Sequence, residues 1–240
     1  LHYWPPKAHV EASISGSMIL AGILLKLGGY GLIRVGDLLN NNLIFEYLVI
    51  FGLLSSLLMS VICLQQIDMK VMIALSSVIH MNLMMSGYFT FYSLGVFSCL
   101  IIMISHGLCS SGMFCLVSII YNRLMSRSLL MIKGLINLLP SLSLLWFLLC
   151  MSNMSSPPSL NLLGEIMTIN SIMGWSMYLM FFVFLYCIFS VIFTIYFFSI
   201  SQYGKINFLM MKMEIYLQEF ILLILHLLPL NFLLMMSLYF

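Results

Sequence analysis

Seven apolar runs, each about long enough to cross a membrane as a helix, occupy almost the whole chain. A helix rises 1.5 Å per residue, so about 20 apolar residues cross roughly 30 Å of hydrocarbon. The runs are Ile14–Val35, Leu43–Leu64, Met69–Tyr88, Ser93–Tyr121, Leu135–Asn170, Trp175–Ile200 and Ile215–Leu238. Because they are continuous and do not alternate, they predict helices and not barrel strands. We expect one all-α membrane domain of about seven transmembrane helices over residues 14–238, after a lead-in turn at residues 1–13.

Composition agrees with a chain whose main solvent is the lipid bilayer. Hydrophobic residues make up 63% of the sequence and charged residues 7%, whereas soluble domains are about 25% charged. The net charge of +2 is too small for a nucleic-acid partner. The six cysteines lie in or beside apolar runs without metal-ligand spacing, which favours packing roles over a metal or redox centre. The first residue is Leu1 and no signal peptide follows, so we expect the chain to begin inside a longer protein.

The fifth run is interrupted by the segment Ser155-Ser156-Pro157-Pro158. Two prolines remove two backbone donors, so the first half of this helix is predicted to stop near Met154. Leu160–Asn170 is too short to span alone, which favours one broken helix over a loop between two short helices. Backbone groups freed inside a membrane must then be covered by protein or by a polar cavity.

Basic residues between the runs predict the orientation. The side on which the first helix begins collects Lys7, Lys70, Arg123, Arg127, Lys133, Lys205 and Lys212. Arg34 lies on the opposite side, at a helix end. By the positive-inside rule the basic side is the cytoplasm-like side, which in a mitochondrion is the matrix.

Lys26 is the most anomalous residue of the first run. It lies 12 positions after Ile14, about 18 Å along the helix and near the middle of the bilayer. On insertion scales a lysine at that depth costs about 2.5–3.5 kcal/mol. Snorkelling is the structural alternative, but both membrane surfaces are distant. We therefore favour a role in which the amine accepts and releases protons.

Two histidines and one glutamate strengthen this hypothesis. His80 and His106 lie near the middle of the third and fourth runs. Imidazole changes its charge near neutral pH and passes protons through its two nitrogens, although an intramembrane histidine is also often a hydrogen-bonded helix contact. Glu165 follows the proline break, where a carboxylate must be solvated or paired unless it lies at the membrane surface. Ser76 and Ser110, each one turn from a histidine, are predicted to hold water or to orient the rings.

Several short motifs follow one another along almost the whole chain. They are Pro6-Lys7-Ala8-His9-Val10-Glu11-Ala12, Ser15-Gly16-Ser17-Met18, Leu24-Leu25-Lys26-Leu27-Gly28-Gly29-Tyr30-Gly31, Asp68-Met69-Lys70, Ser76-Ser77, His80-Met81, Ile104-Ser105-His106-Gly107-Leu108, Ser126-Arg127, Pro157-Pro158 and Asn161-Leu162-Leu163-Gly164-Glu165. In order and spacing they closely resemble the chain 4 family of mitochondrial NADH–ubiquinone oxidoreductase, respiratory complex I.

The resemblance implies an antiporter-like subunit of the membrane arm of complex I, in the mitochondrial inner membrane beside other membrane-arm subunits. The chain would be the C-terminal half of a fourteen-helix bundle that moves protons when electron transfer elsewhere drives it. No cofactor is implied for this chain, because FMN, the iron–sulfur clusters and ubiquinone would belong to other subunits.

The resemblance also implies roles for five residues. Lys26 matches the central lysine, Lys70, His80 and His106 match members of a hydrophilic proton-transfer axis, and Glu165 matches a terminal glutamate on the broken helix. It implies an order from Lys26 through His80 and His106 to Glu165. Taken by itself, Lys70 in the first turn of its helix is equally compatible with snorkelling.

Three positions depart from the family pattern. Pro5 stands where leucine is usual and Ser13 where proline is usual, so the lead-in is expected to differ. Asn122 replaces a usual glutamate beside Arg123, which removes an expected ion pair.

Three other functions are compatible with parts of this pattern. A subunit of a related cation/proton antiporter would share all the intramembrane residues. A seven-helix receptor or retinal protein is another class, but a retinal protein would need its lysine in the last helix, and Ile215–Leu238 contains none. A purely structural membrane scaffold would leave four buried ionisable residues unexplained.

Overall fold

The computed structural model describes residues 4–36, 38, 42–205 and 216–237, and all regular elements in these ranges are helices. Six described stretches are long and apolar enough to cross a membrane: Ile14–Gly36, Ile44–Leu64, Met69–Tyr88, Ser93–Leu124, Met177–Gln202 and Leu217–Met236. A shorter apolar helix, Pro140–Asn153, is the first half of the broken fifth run. The predicted all-helical, multi-pass architecture is confirmed.

The elements follow the apolar runs closely. The first span consists of helix α2 (Ile14–Ile19), a π-helical turn (Leu20–Leu24) and helix α3 (Leu25–Gly36). It is followed by α4 (Asn42–Leu64), α5 (Met69–Tyr88), α6 (Ser93–Leu124) and the short α7 (Leu135–Leu138). The last elements are α8 (Pro140–Asn153), α9 (Leu160–Trp175), a 3₁₀ turn (Met177–Leu179), α10 (Met180–Gln202) and α11 (Leu217–Ser237).

The lead-in, predicted as a turn, contains a short helix, α1 (Trp4–Glu11). The helix tolerates Pro6 because the first turn of a helix has no internal partner for its N–H groups. Ser13 follows it as the N-cap of α2, where its hydroxyl accepts a hydrogen bond from the backbone N–H of Gly16 at 3.3 Å. A serine can make this capping bond, whereas the proline usual at this position has no side-chain acceptor.

The break in the fifth run lies where the prolines predict it, between α8 and α9. Side chains there add hydrogen bonds to carbonyls in the last turn of α8, which also accept from backbone N–H groups of the break. The amide nitrogen of Asn161 donates to the carbonyl of Ser152 at 2.8 Å, and the hydroxyl of Ser156 donates to the carbonyl of Met151 at 2.8 Å. The break is therefore a built feature, as irregular backbone inside a membrane requires.

Helices α5 and α6 lie at the centre of the bundle and are mostly buried, whereas the first span and α11 lie on the outside. α5 packs between α4 and α6, and α9 packs along α6. Close approach of α9 depends on Gly164, since a Cβ there would lie 2.6 Å from the side chain of Ile102. Both halves of the broken helix thus pack on α6.

Basic residues gather at one end of the bundle, as the orientation argument predicts. Arg127 donates to a backbone carbonyl of α1, and Arg123 pairs with the carboxylate of Glu219 at the start of α11. The Glu219 pair stands in for the ion pair expected to be lost beside Asn122. Arg34, at the end of α3, donates to a tyrosine hydroxyl of its own helix. Lys212 lies outside the described residues.

Candidate functional site

The amine of Lys26 points into the bundle and is held by two acceptors. Its Nζ donates to the carbonyl of Ala21 at 2.6 Å and lies 3.1 Å from Nδ1 of His106. Ala21 belongs to the π-helical turn, in which the N–H of Leu25 bonds to the carbonyl of Leu20, five residues back. Single π turns of this kind occur frequently at functional sites. Both contacts offset the cost of placing an ammonium group at this depth.

Gly107 allows α6 to pack closely against the π turn. A Cβ at Gly107 would lie 3.2 Å from the carbonyl of Gly22 and 3.3 Å from Cε of Lys26. A side chain at this position would therefore press on both the backbone of the π turn and the stem of the lysine. The absence of a side chain at Gly107 therefore places His106, its neighbour in sequence, within reach of the lysine.

His106 connects the lysine to a second histidine. His106 is fully buried, and its ring centroid lies 5.3 Å from that of His80 on α5. Since Nδ1 of His106 accepts from the ammonium group of Lys26, the proton of the neutral ring is assigned to Nε2. Nε2 of each ring is buried and has no hydrogen-bond partner within the described residues. These two nitrogens remain available for proton exchange.

The carboxylate of Glu165 closes the series on the far side of His80. Its Oε1 lies 3.2 Å from Nδ1 of His80, and the hydroxyl of Tyr186 lies 3.1 Å from the same nitrogen. Tyr186 also donates to Oε1 of Glu165 at 3.3 Å. His80, Tyr186 and Glu165 thus form a three-membered cluster contributed by α5, α10 and α9.

Four of the five predicted site residues therefore form one series, in the order Lys26, His106, His80, Glu165. The implied order placed His80 before His106, and the structure instead puts His106 beside the lysine because α6 packs directly on the π turn. Lys70 does not contact this series. Its Nζ lies near the basic end, 3.4 Å from the carbonyl of Ala12 and 5.9 Å from the ring centre of Tyr121.

Sequence reasoning missed Tyr186, which is fully enclosed on α10. A signal was present, because Tyr186, Ser190 and Thr194 recur at helical spacing within an otherwise apolar run. The two serines that are predicted to hold water or to orient the rings also bond within their own helices. Ser76 and Ser110 donate to carbonyls of their own helices at 2.7 and 3.5 Å.

Taken together, the site is a line of proton donors and acceptors inside a low-dielectric bundle. An ammonium group stands at one end and a carboxylate at the other, with two imidazole rings between them. Imidazole exchanges protons through both nitrogens, so the line is chemically suited to pass a proton between Lys26 and Glu165.

Comparison with known proteins places this chain in a family. The sequence model of the family described as NADH:quinone oxidoreductase/Mrp antiporter, TM, matches residues 1–194. The NADH-ubiquinone oxidoreductase chain 4 of Aedes aegypti is 52% identical over 245 residues, which cover 99% of this chain and 54% of that one. The chain spans about half the length of such relatives.

Two solved structures have the same fold. A chain of respiratory complex I from Thermus thermophilus, solved with bound NADH, superposes with a TM-score of 0.88 at 23% identity, covering 96% of this chain and 50% of that one. A chain of the Mrp complex from a Dietzia species superposes with a TM-score of 0.78 at 16% identity, covering 86% and 39%. At these identities the likeness is one of fold.

Proposed function

Because the chain belongs to the NADH:quinone oxidoreductase/Mrp antiporter transmembrane family, we propose that it is part of a proton-translocating subunit of respiratory complex I, the NADH:ubiquinone reductase. Electron transfer in other subunits drives the translocation, and this chain carries out no redox chemistry itself. The observation that carries the proposal is the series of contacts from Lys26 through His106 and His80 to Glu165.

Transfer along the series proceeds by passing one proton at a time. The ammonium group of Lys26 gives a proton to Nδ1 of His106, which releases its Nε2 proton towards His80. His80 accepts at Nε2 and releases its Nδ1 proton to the carboxylate of Glu165. Each ring gains one proton and loses one, so the net change is a neutral lysine and a neutral glutamic acid. The hydroxyl of Tyr186 holds the acceptor oxygen of Glu165 in place.

The proposal includes the partners of the chain and its location in the cell. Its partners are other complex I subunits of the membrane arm and the lipid bilayer, and its location is the mitochondrial inner membrane with the basic end facing the matrix. Exposed apolar side chains on the first span, such as Ile23 and Leu27, support coverage by protein or lipid. FMN, iron–sulfur clusters and ubiquinone belong to other subunits.

A subunit of a cation/proton antiporter is the second candidate, and the Mrp complex supports it through fold alone. Relatives at 49–52% identity are named NADH-ubiquinone oxidoreductase chain 4, which favours complex I. The two candidate functions differ in what drives proton movement. Complex I pumping requires NADH oxidation, whereas an antiporter exchanges protons when a sodium or potassium gradient is imposed.

The test changes Lys26 to alanine and, separately, Glu165 to glutamine in the full-length subunit of the intact complex. We expect NADH-driven acidification of proteoliposomes to fall by about 10²-fold, the lower end of what a positioned acid–base group contributes, while the complex still assembles. Lys205→Ala, at an exposed position on the basic end, is the matched control and is expected to pump normally. An assembled Lys26→Ala complex that acidifies the vesicles at the normal rate would refute the proposal.

A further inference from the structure

A cleft beside the proline break contains no residue of the central series. It lies between α8, the break and α11 and has a volume of about 170 Å³. Its wall on α8 is mostly apolar, whereas Ser156, Ser159 and Asn231 line it with polar groups. Polar groups at the surface of a membrane bundle need hydrogen-bond partners, because lipid tails supply none.

Ser159 stands at the N-cap position of α9 but does not cap the helix. Serine is preferred at this position because its hydroxyl can accept a hydrogen bond from the first turn. The hydroxyl of Ser159 makes no such bond. It has no hydrogen-bond partner among the described residues, although the residue is only 2% exposed. Since buried polar atoms almost always have a partner and Ser159 lines the cleft, the missing partner belongs in the cleft.

Asn231 of α11 presents a carboxamide to the same cleft from the other side, and its side chain is exposed. Pro229, two residues earlier, lies inside the helix. Because proline has no N–H, the carbonyl of Leu225 loses its helical partner. This part of α11 therefore offers both hydrogen-bond donors and acceptors to whatever covers it.

These polar groups lie deep in the membrane. Glu219, which pairs with Arg123 at the basic end, precedes Asn231 by about 18 Å along α11. The break follows Asn153, about 20 Å along α8 from Pro140. The hydrocarbon is about 30 Å thick, so neither lipid headgroups nor bulk water are the partners that the geometry provides for.

Exposed side chains of α11 form a seam at alternating four- and three-residue spacing, the spacing with which one helix packs along another. The seam, called here the Asn231 seam, consists of Leu217, Ile221, Ile224, Leu228, Asn231 and Met235. Its apolar members are 41–74% exposed. A single asparagine in such a seam fixes the register of two helices, because its amide requires a polar partner on the facing helix.

We propose that the Asn231 seam and the adjoining cleft bind a transmembrane helix of another complex I subunit. This helix presents a serine, threonine, asparagine or glutamine side chain to Asn231 and Ser159, since such side chains form hydrogen bonds between helices inside membranes. The apolar members of the seam pack along it, and the polar contact sets its register. The docking surface rests on the proposed function only in that complex I is the assembly that contains the second subunit.

The first test is photo-cross-linking in the intact complex that contains the full-length subunit. The photoreactive residue p-benzoylphenylalanine replaces Asn231 and, in a control, Phe232, which lies at the same depth but about 100° further round the helix. We expect light to join position 231 to a peptide of another subunit, with one of the four polar residues within a turn of the adduct. Position 232, which is 63% exposed and outside the seam, is expected to give mainly lipid adducts.

Two results would overturn the docking surface. One is that position 231 yields lipid adducts only, and the other is that it yields an adduct within its own subunit. Should Asn231→p-benzoylphenylalanine fail to assemble, Met235→p-benzoylphenylalanine is measured in its place, since that position lies on the same seam and already holds a large side chain.

The second test measures how firmly the subunit is held. We expect Asn231→Leu to raise the ratio of free subunit to intact complex on native gels in mild detergent by about 3- to 30-fold, the range that one hydrogen bond between membrane helices accounts for. Asn231→Gln keeps the carboxamide and should release less subunit than Asn231→Leu. Phe232→Leu is the matched control and should leave the ratio unchanged. If Asn231→Leu is held as firmly as Phe232→Leu, the seam faces lipid.

These readouts are separate from pumping. Lipid adducts alone at position 231, in a preparation in which Lys26→Ala still blocks acidification, overturn the docking surface and leave the proposed function intact. Normal acidification by Lys26→Ala, together with an adduct between position 231 and another subunit, refutes the proposed function and supports the docking surface.

Discussion

Replacement of Tyr186 by phenylalanine tests the far end of the central series with the smallest possible change. The substitution removes one oxygen atom and keeps the ring that packs between α5 and α9. Two contacts disappear, those from the hydroxyl to Nδ1 of His80 at 3.1 Å and to Oε1 of Glu165 at 3.3 Å. The direct contact between His80 and Glu165 at 3.2 Å remains.

The expected effect follows from the hydrogen bonds that are lost. A hydrogen bond to a charged group contributes about 1.5–3 kcal/mol. If the whole amount were added to the barrier for transfer between His80 and Glu165, the rate would fall by about 10- to 150-fold. Because the imidazole still reaches the carboxylate directly, we expect the lower limit, a decrease of about tenfold.

The assay measures NADH oxidation and acidification of proteoliposomes by the intact complex that contains the full-length subunit. Tyr196→Phe is the matched control, since this tyrosine lies on the same helix and is 40% exposed. It is expected to behave like the wild type. If assembled Tyr186→Phe complex acidifies the vesicles as fast as the Tyr196→Phe control, the hydroxyl has no part in proton transfer and the reasoning from this cluster is wrong.

Two further predictions concern other parts of the structure. Gly107→Ala adds a Cβ 3.3 Å from Cε of Lys26, so we expect slower pumping together with a loss of about 1–3 kcal/mol of stability from overpacking, measured as acidification and as heat inactivation of the complex. The pKa of His9, a buried residue of α1, is lowered from 6.5 to about 4 by burial and by the positive charges of Lys26 and Lys70. The stability that neutral His9 contributes is therefore complete above pH 6.5 and is lost as the pH falls towards 4. When the pH is lowered from about 7 to about 5, the His9→Gln complex should accordingly lose less of its heat stability than the wild-type complex loses.

The sequence was sufficient for the spans and for the residues that do not belong in them. Apolar runs of the required length predicted the helices to within a few residues at most ends, and Pro157-Pro158 predicted the break. Lys26, His80, His106 and Glu165 were recognisable because an ionisable group in an apolar run is costly unless something compensates it. These are local properties, which a single sequence displays directly.

The contacts between helices were not predictable in the same way. Which histidine meets Lys26 depends on how closely α6 approaches the first span, and that distance is set by Gly107 and the π-helical turn. Neither feature has a sequence signature that separates it from ordinary small-residue packing. Tyr186 was overlooked for a related reason, because tyrosine is ordinary in membrane helices and only its partners distinguish it.

A structural scaffold is the remaining alternative, and the energetics of burial argue against it. A lysine at the centre of a membrane helix costs about 2.5–3.5 kcal/mol on insertion scales, and a carboxylate there costs a similar amount. A bundle that needed only stability would therefore gain from leucine or methionine at the positions of Lys26 and Glu165, whose neighbours along the sequence include Leu25, Leu27 and Ile166. The chain instead places both ionisable residues, two histidines and a tyrosine within reach of one another on five different helices. Stability does not account for that convergence, whereas the transfer of protons requires it.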